Sequence, residues 1–407
     1  MMNKTNGRKR EMVSHSSVIL HGMRLVKNDG LWTNGFIFLQ DGKIVAAGKD
    51  IKDDDFPGIP RRVYGKDMLA FPGFIDIHMH GGYGVDVMDA TRDVFETLEI
   101  SLPSEGTTAY LATTITQEEE HITSALQTGA AYYREQREAG VAELLGIHLE
   151  GPFINAKRKG AQPEEHIKRD GLDLYKAFRQ AADDTIRVVT YAPETSGGLD
   201  LTAYINEMGA VPSIGHSDAT YEEMKAAVTA GAKHITHLYN GMRGFHHREP
   251  GVVGAAYTID ELKSEIIADG LHSSPPAVKT AYRTGGFRNL YLITDSMRAK
   301  GLRDGTYDLG GQDVTVRDEK ATLADGTIAG SIVTMDACLR NMRAFTGATF
   351  PELAAMTAGN QAKALGVEDH KGSIDAHKDG DIVLLNEQLG VEETWCRGRL
   401  AYQSKER

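Results

Sequence analysis

The run Pro72-Gly73-Phe74-Ile75-Asp76-Ile77-His78-Met79-His80-Gly81-Gly82 ends an apolar segment with two imidazoles one residue apart. Side chains alternate faces along a β-strand, so His78 and His80 point the same way and can offer two nitrogens to one metal ion. An isolated His-x-His reads equally well as two ordinary polar histidines. The metal reading gains from further donors, each ending its own strand-like segment: His148-Leu149-Glu150, Gly215-His216, His234-Ile235-Thr236-His237 and Thr294-Asp295. Nitrogen mixed with carboxylate suits zinc, iron or manganese rather than calcium, which takes oxygen only. Within this set His148 shares a face with Glu150 but lies two positions deeper, and it reads with His234 as a supporting or packing group. Ser217, Asp218 and Thr220 read as the start of the next helix.

Positioning such residues requires a frame. Strand-like segments at 71–78, 107–114, 143–150, 186–192, 211–215, 234–238, 265–268 and 290–294 alternate with amphipathic segments at 93–104, 118–139, 172–183, 201–208, 221–230 and 276–284. Thr220 and Glu223 form a capping box, and Gly231 closes that helix. The helix between the sixth and seventh strands is the weakest in pattern. Alternation of this kind predicts an α/β fold, a (β/α)8 TIM-like barrel over 71–365, whose site lies at the C-terminal ends of the strands. Residues 301–326 read as a β-like excursion after the eighth strand, followed by helices near 335–346 and 351–364. Strand-like segments at 17–26, 31–40 and 43–48, and again at 381–385, 394–397 and 400–402, predict a small β-sandwich domain shared by 1–70 and 366–407. Residues 1–11 read as a loose tail.

Composition narrows the function classes. A net charge of −12 argues against a broad nucleic-acid surface, though a local basic pocket for a small anion remains compatible with it. No apolar run approaches the roughly 20 residues of a membrane span, and no apolar segment follows the basic N-terminus as in a secretory signal. The two cysteines, Cys338 and Cys396, form no disulfide framework, so a cytoplasmic location is expected and both read as packing residues.

Several motifs together resemble the N-acetylglucosamine-6-phosphate deacetylase family of the amidohydrolase superfamily: PGFIDIHMHGGYGVDVMD at 72–89, HLEGPF at 148–153, GHSDAT at 215–220, THLYNGM at 236–242, REPG at 248–251, DGLH at 269–272, ITDSMRAKGL at 293–302 and DGTIAGS at 325–331. The similarity runs from about Ser17 to the C-terminus and implies the same barrel and composite β-domain. Because both histidines of the first pair are present, it implies the binuclear branch. The ligands would be His78, His80, Glu150, His216, His237 and Asp295, and the two divalent ions Fe, Zn, Co or Mn. By resemblance Glu150 bridges the ions and His216 and His237 hold the second. Relatives that bridge with a carboxylated lysine carry it on the fourth strand, which here ends Thr190-Tyr191-Ala192-Pro193-Glu194 without one.

The implied reaction is hydrolysis of the acetamide of N-acetyl-D-glucosamine 6-phosphate. Metal-activated water attacks, with Asp295 as general base and then general acid. The resemblance assigns the sugar phosphate to Asn240, the backbone N–H of Gly241, Arg248 and His272. It also implies a homodimer in which Arg248 reaches the neighbouring site. His246 and His247 read as surface residues. Gln162 stands where some relatives carry histidine, which leaves the role of that position open, and Ser296 stands where alanine is more familiar. Three alternatives remain at this stage: an N-acetylgalactosamine-6-phosphate deacetylase, a cyclic-amidase or dipeptidase-like amidohydrolase, and a catalytically dead barrel used for binding. The intact donor set weighs against the last.

Overall fold

The computed structural model describes residues 17–137 and 139–405; the expected tail at 1–11 lies outside them. Ser17–Lys27 pairs antiparallel with Gly30–Gln40, which pairs with Lys43–Lys49. Leu69–Pro72 joins this group to Ile382–Leu385, Val391–Cys396 and Arg399–Gln403 from the other end of the chain. With Arg61–Val63 on the first strand, the termini make one mixed eight-stranded sheet. Leu20, Leu25, Ile37, Ile382, Leu384 and Trp395 fill its core. The sheet curls back on itself: Gly42 and Gly398 meet so closely that a Cβ on Gly398 would lie 2.9 Å from the Gly42 Cα.

Eight parallel strands form the second sheet in sequential order: Phe74–Met79, Thr107–Thr114, Glu143–Glu150, Ile186–Tyr191, Val211–Ile214, His234–Ile235, Lys263–Ile266 and Leu290–Leu292. Every residue of Thr107–Thr114 is buried, as expected where a parallel sheet is covered on both faces. Beyond the eighth strand the barrel closes through a few specific bonds. The Asp295 N–H donates to the His78 carbonyl (2.8 Å), and the His80 N–H to the Ser296 carbonyl (2.8 Å). Deeper in the seam, the buried Asp76 carboxylate accepts from the Thr294 hydroxyl (2.5 Å).

Several segments depart from the sequence expectation; the seventh strand, for one, is Lys263–Ile266 rather than 265–268, and the helix expected to reach 139 ends at Glu135. The run expected as one strand over 71–78 is divided: Leu69–Pro72 belongs to the terminal sheet and Phe74–Met79 to the barrel. Gly73 is the crossing point, donating its N–H to the Asp381 carbonyl (2.8 Å). The sixth strand keeps only His234–Ile235, because the chain leaves extended geometry at His237, where φ is 34°. The weakly patterned helix is Gly251–Thr258, with sequence GVVGAAYT and buried residues all round, so it carries no amphipathic period to read.

The excursion after the eighth strand is a three-stranded antiparallel sheet, Gly305–Leu309, Gln312–Arg317 and Lys320–Thr322. It packs Leu309, Val314 and Val316 with Ile115 and Met297 beside the barrel mouth. Helices Met335–Thr346, Phe350–Ala354 and Asn360–Ala364 lead back to the terminal sheet, with one π-helical turn, Ala355–Gly359, between the last two. No helix among the described residues is long and apolar enough to cross a membrane.

Gly73 yields a stability test. A Cβ there would fall 2.1 Å from Thr108 Oγ1 and 2.5 Å from its Cγ2. Gly73→Ala should therefore cost about 1–3 kcal/mol through overpacking. A clear fall in the denaturation midpoint is expected; an unchanged midpoint would mean that the two sheets are not locked together at this glycine.

Candidate active site

Strand ends bring all six expected donors to one mouth. Glu150 is their node. Its Oε1 lies 3.4 Å from His78 Nε2, 3.4 Å from His216 Nε2 and 3.3 Å from His237 Nε2, and its Oε2 lies 3.3 Å from His80 Nε2. Asp295 Oδ1 faces the first histidine pair, 3.4 Å from His78 Nε2 and 3.2 Å from His80 Nε2. Two triads result: His78, His80 and Asp295, and Glu150, His216 and His237.

These separations carry information. Charge-assisted hydrogen bonds run about 2.7–2.9 Å. Two ligand atoms each about 2.05 Å from a tetrahedral ion sit about 3.3 Å apart. The donors are therefore spaced as edges of a coordination shell. His78 Nε2 is buried with no hydrogen-bond partner, as a nitrogen reserved for a metal would be. The donor set fits transition-metal ions.

Backbone geometry supports the convergence. His216, His237 and Asp295 all adopt left-handed φ, at 47°, 34° and 48°. Non-glycine residues seldom adopt this conformation, and it persists only where the surroundings enforce it. Each of the three lies just beyond its strand, where the turn swings the side chain inward. Gly241 meets the same demand beside them: its φ is 55°, and a Cβ would lie 2.9 Å from His216 Nδ1.

Electrostatics ties the carboxylates of the nest to its imidazoles. Burial alone would raise Glu150, but His78, His216 and His237 hold its carboxyl well below the usual range. Asp295 likewise stays low despite burial, held there by His78 and His80. In return His80, which burial would push down, is held up at about 10 by Asp295 and Glu150. The raised imidazoles of His78 and His80 thus counterbalance two buried carboxylates, a task that a divalent cation could assume with release of protons.

Supporting groups lie one layer deeper. Glu265, fully buried on the seventh strand, receives the His78 Nδ1 hydrogen bond at 2.9 Å and the His237 backbone N–H at 3.2 Å. The sequence reading missed it, although it is the one acidic residue in the otherwise apolar-and-small run Ser264–Ala268. His148 bonds the Ile77 carbonyl (3.0 Å) and the Thr190 hydroxyl (2.7 Å), and burial pushes it down to about 3. It stands below the donors with its ring against His78, 4.5 Å between centroids. His234 is buried with neither ring nitrogen hydrogen-bonded.

Asp218 does more than begin a helix. Its carboxylate gathers Lys157 (2.5 Å), Arg158 (2.7 Å) and Arg243 (2.9 Å), while Thr220 and Glu223 form the expected capping box. Ser296 also acts: its hydroxyl donates to the Gly81 carbonyl (2.8 Å), strengthening the barrel seam.

The donors open into a cavity of about 180 Å³ that Gln162, Asn240, Gly241, His272 and Leu309 also line. His272 is oriented by Asp269 through Nδ1 (2.7 Å), leaving Nε2 free. Arg248 is not brought to this cavity. It lies on the exposed loop with His246 and His247, where Nη1 contacts His247 Nε2 (2.8 Å). A larger cleft of about 830 Å³ opens at the opposite end of the barrel, but no metal-ligating group of the described residues converges there.

Comparison with known proteins agrees with this architecture. A model described as "Amidohydrolase family" matches residues 69–401. N-acetylglucosamine-6-phosphate deacetylase of Bacillus subtilis (strain 168) is 44% identical over 398 residues, 96% of this chain and 98% of its own length. N-acetylgalactosamine-6-phosphate deacetylase of Escherichia coli O157:H7 is 37% identical over 384 residues, 94% of this chain and 99% of its own. The structure of a mutant N-acetyl-D-glucosamine-6-phosphate deacetylase from Mycobacterium smegmatis, in complex with N-acetyl-D-glucosamine-6-phosphate, superimposes with a TM-score of 0.89 at 30% identity, covering 95% of this chain and 100% of that one. Barrel, converging strand-end donors and full-length similarity lead to one conclusion: this chain belongs to the amidohydrolase family.

Proposed function

We infer that the chain hydrolyses the acetamide of N-acetyl-D-glucosamine 6-phosphate, releasing acetate and glucosamine 6-phosphate. The observation that carries this reading is the complete six-donor mouth in a chain 44% identical, over 96% of its length, to a deacetylase of that sugar phosphate. His78, His80 and Asp295 would hold one divalent ion and His216 and His237 a second, with Glu150 shared between them. Iron, zinc, cobalt and manganese all accept such donors, and availability decides among them. When bound, such ions lower the pKa of water toward about 7 and polarise the amide carbonyl.

The remaining work falls to the protein. Asp295 is ionised at the cavity wall, so it can take a proton from the attacking water as the carbon–oxygen bond forms. It then returns that proton to the sugar nitrogen as the carbon–nitrogen bond breaks. Glu265 accepts the His78 Nδ1 bond, an arrangement that would present Nε2 toward the mouth as a ligand once an ion is bound. For the phosphate, Gly241 offers a backbone N–H with no partner among the described residues, and Asn240 and His272 flank the same cavity. Arg248 is exposed and does not line its own cavity, which is compatible with a homodimer in which it would reach the neighbour's phosphate with a planar, bidentate guanidinium. Both cysteines are buried and free, in keeping with a reducing cytoplasm.

The galacto epimer is the second reading, favoured by the 37% identity to a deacetylase of that substrate. Acetate release from both epimers, with zinc or manganese supplied, tests the assignment. The gluco substrate should be turned over faster. A higher kcat/KM on the galacto epimer would reverse the choice, and no acetate from either would contradict the whole reading.

Three variants probe the separate roles. Asp295→Asn keeps shape but cannot accept the proton, so kcat should fall by more than a factor of ten, at least about 1.4 kcal/mol, with product affinity little changed. Glu265→Gln should weaken zinc binding by about 10–100-fold in a chelator competition, as loss of a carboxylate behind a ligating histidine does; unchanged affinity would remove Glu265 from the site. Arg248→Ala should raise KM for the phosphorylated sugar by roughly 10–150-fold, from a charge-assisted contact of about 1.5–3 kcal/mol, while sparing the slow reaction of N-acetylglucosamine itself. Equal loss on both substrates would mean that Arg248 does not bind phosphate.

A further inference from the structure

We propose that Gln162 is a positioning residue that fixes the orientation of the Glu150 carboxylate and thereby secures the ion held by His78, His80 and Asp295; this rests on the two-ion reading above. Gln162 is 4% exposed, in the loop Lys159-Gly160-Ala161-Gln162-Pro163 at the cavity wall. Its Oε1 accepts the backbone N–H of Thr116 at 2.8 Å. A backbone N–H can only donate, so this contact settles which end of the amide is oxygen. The NH2 end is thereby turned toward Glu150, where Nε2 donates to Oε2 at 2.6 Å.

That bond breaks the symmetry of the bridging carboxylate. Oε1 faces His78, His216 and His237 at 3.4, 3.4 and 3.3 Å, whereas Oε2, the oxygen that Gln162 grips, faces His80 alone of the four imidazoles, at 3.3 Å. The last torsion of a glutamate side chain is intrinsically broad and roughly two-fold. Nothing in Glu150 itself keeps Oε2 on the His80 side. Gln162 supplies the missing constraint, and its loop is anchored in turn by Gln312 Nε2 on the Ala161 carbonyl (2.7 Å). Being neutral, the amide orients the carboxylate without adding positive charge that would repel an incoming cation. An ion held by His216 and His237 would draw on Oε1, the oxygen nearer to both, and would depend less on this grip.

Zinc titration of Gln162→Met, which nearly keeps volume but loses both contacts, and of Gln162→Asn, too short to span Thr116 and Glu150, tests the proposal. Stoichiometry comes from elemental analysis, and the two affinities from competition with a chromophoric chelator. Wild type should saturate at two ions; saturation at one would overturn the two-ion reading itself. Given two in wild type, each variant should keep one ion at near wild-type affinity and bind the other at least ~10-fold more weakly, the usual size of a supporting-shell effect. Retention of both at full affinity, or equal weakening of both, would overturn the positioning role. Should the variants fail to fold, zinc-loaded wild-type crystals decide: Nε2 within hydrogen-bond distance of Glu150 supports the role, and separation overturns it.

Discussion

A buried carboxylate is tolerated only where opposite charge or several donors meet it, and at Glu150 both conditions hold. Three imidazole nitrogens approach one of its oxygens, and a fourth approaches the other beside the Gln162 amide. Four different strands must end at this point for that to occur. The barrel does this geometrically: it converts distances of tens to hundreds of residues along the chain into contacts of about 3.3 Å, the spacing of ligands around a small ion. The same carboxylate ties the two donor triads together, so neither forms an independent site.

Holding the donors there strains the chain locally. Left-handed turns at His216, His237 and Asp295 are conformations that isolated residues avoid. The surroundings enforce them with bonds that span the barrel. Asp295 donates to the His78 carbonyl, so closing the seam also sets Asp295 facing the first histidine pair. Glu265 bonds both the His78 ring and the His237 backbone, so one buried carboxylate orients donors belonging to both triads. Asp76, Thr294 and Ser296 complete the seam with polar contacts where the strand ladder stops. Stability and function share these residues.

Much of this was legible in the sequence because the signals were local. Each donor ended an apolar run, and a strand end is where a barrel puts its chemistry. The composite sheet was legible from turn residues and short alternating runs at both ends. What escaped depended on tertiary partners. The crossing from the terminal sheet to the barrel divides an unbroken apolar run at Gly73, where the closeness of Thr108 leaves no room for a Cβ. Glu265 looked like the start of an ordinary strand, since its role requires His78 from 187 residues away. The helix Gly251–Thr258 was faint because burial on all sides erases periodicity. Asp218 resembled a helix-start residue, while its cationic partners come from two other loops.

The central claim is that one carboxylate organises two metal positions at the barrel mouth. Anomalous diffraction at the absorption edge of the loaded metal tests it most directly. Two peaks are expected in each chain, one enclosed by His78, His80 and Asp295 and the other by His216 and His237, with Glu150 contacting both. A single peak at saturating metal, or a second peak away from Glu150, would contradict it.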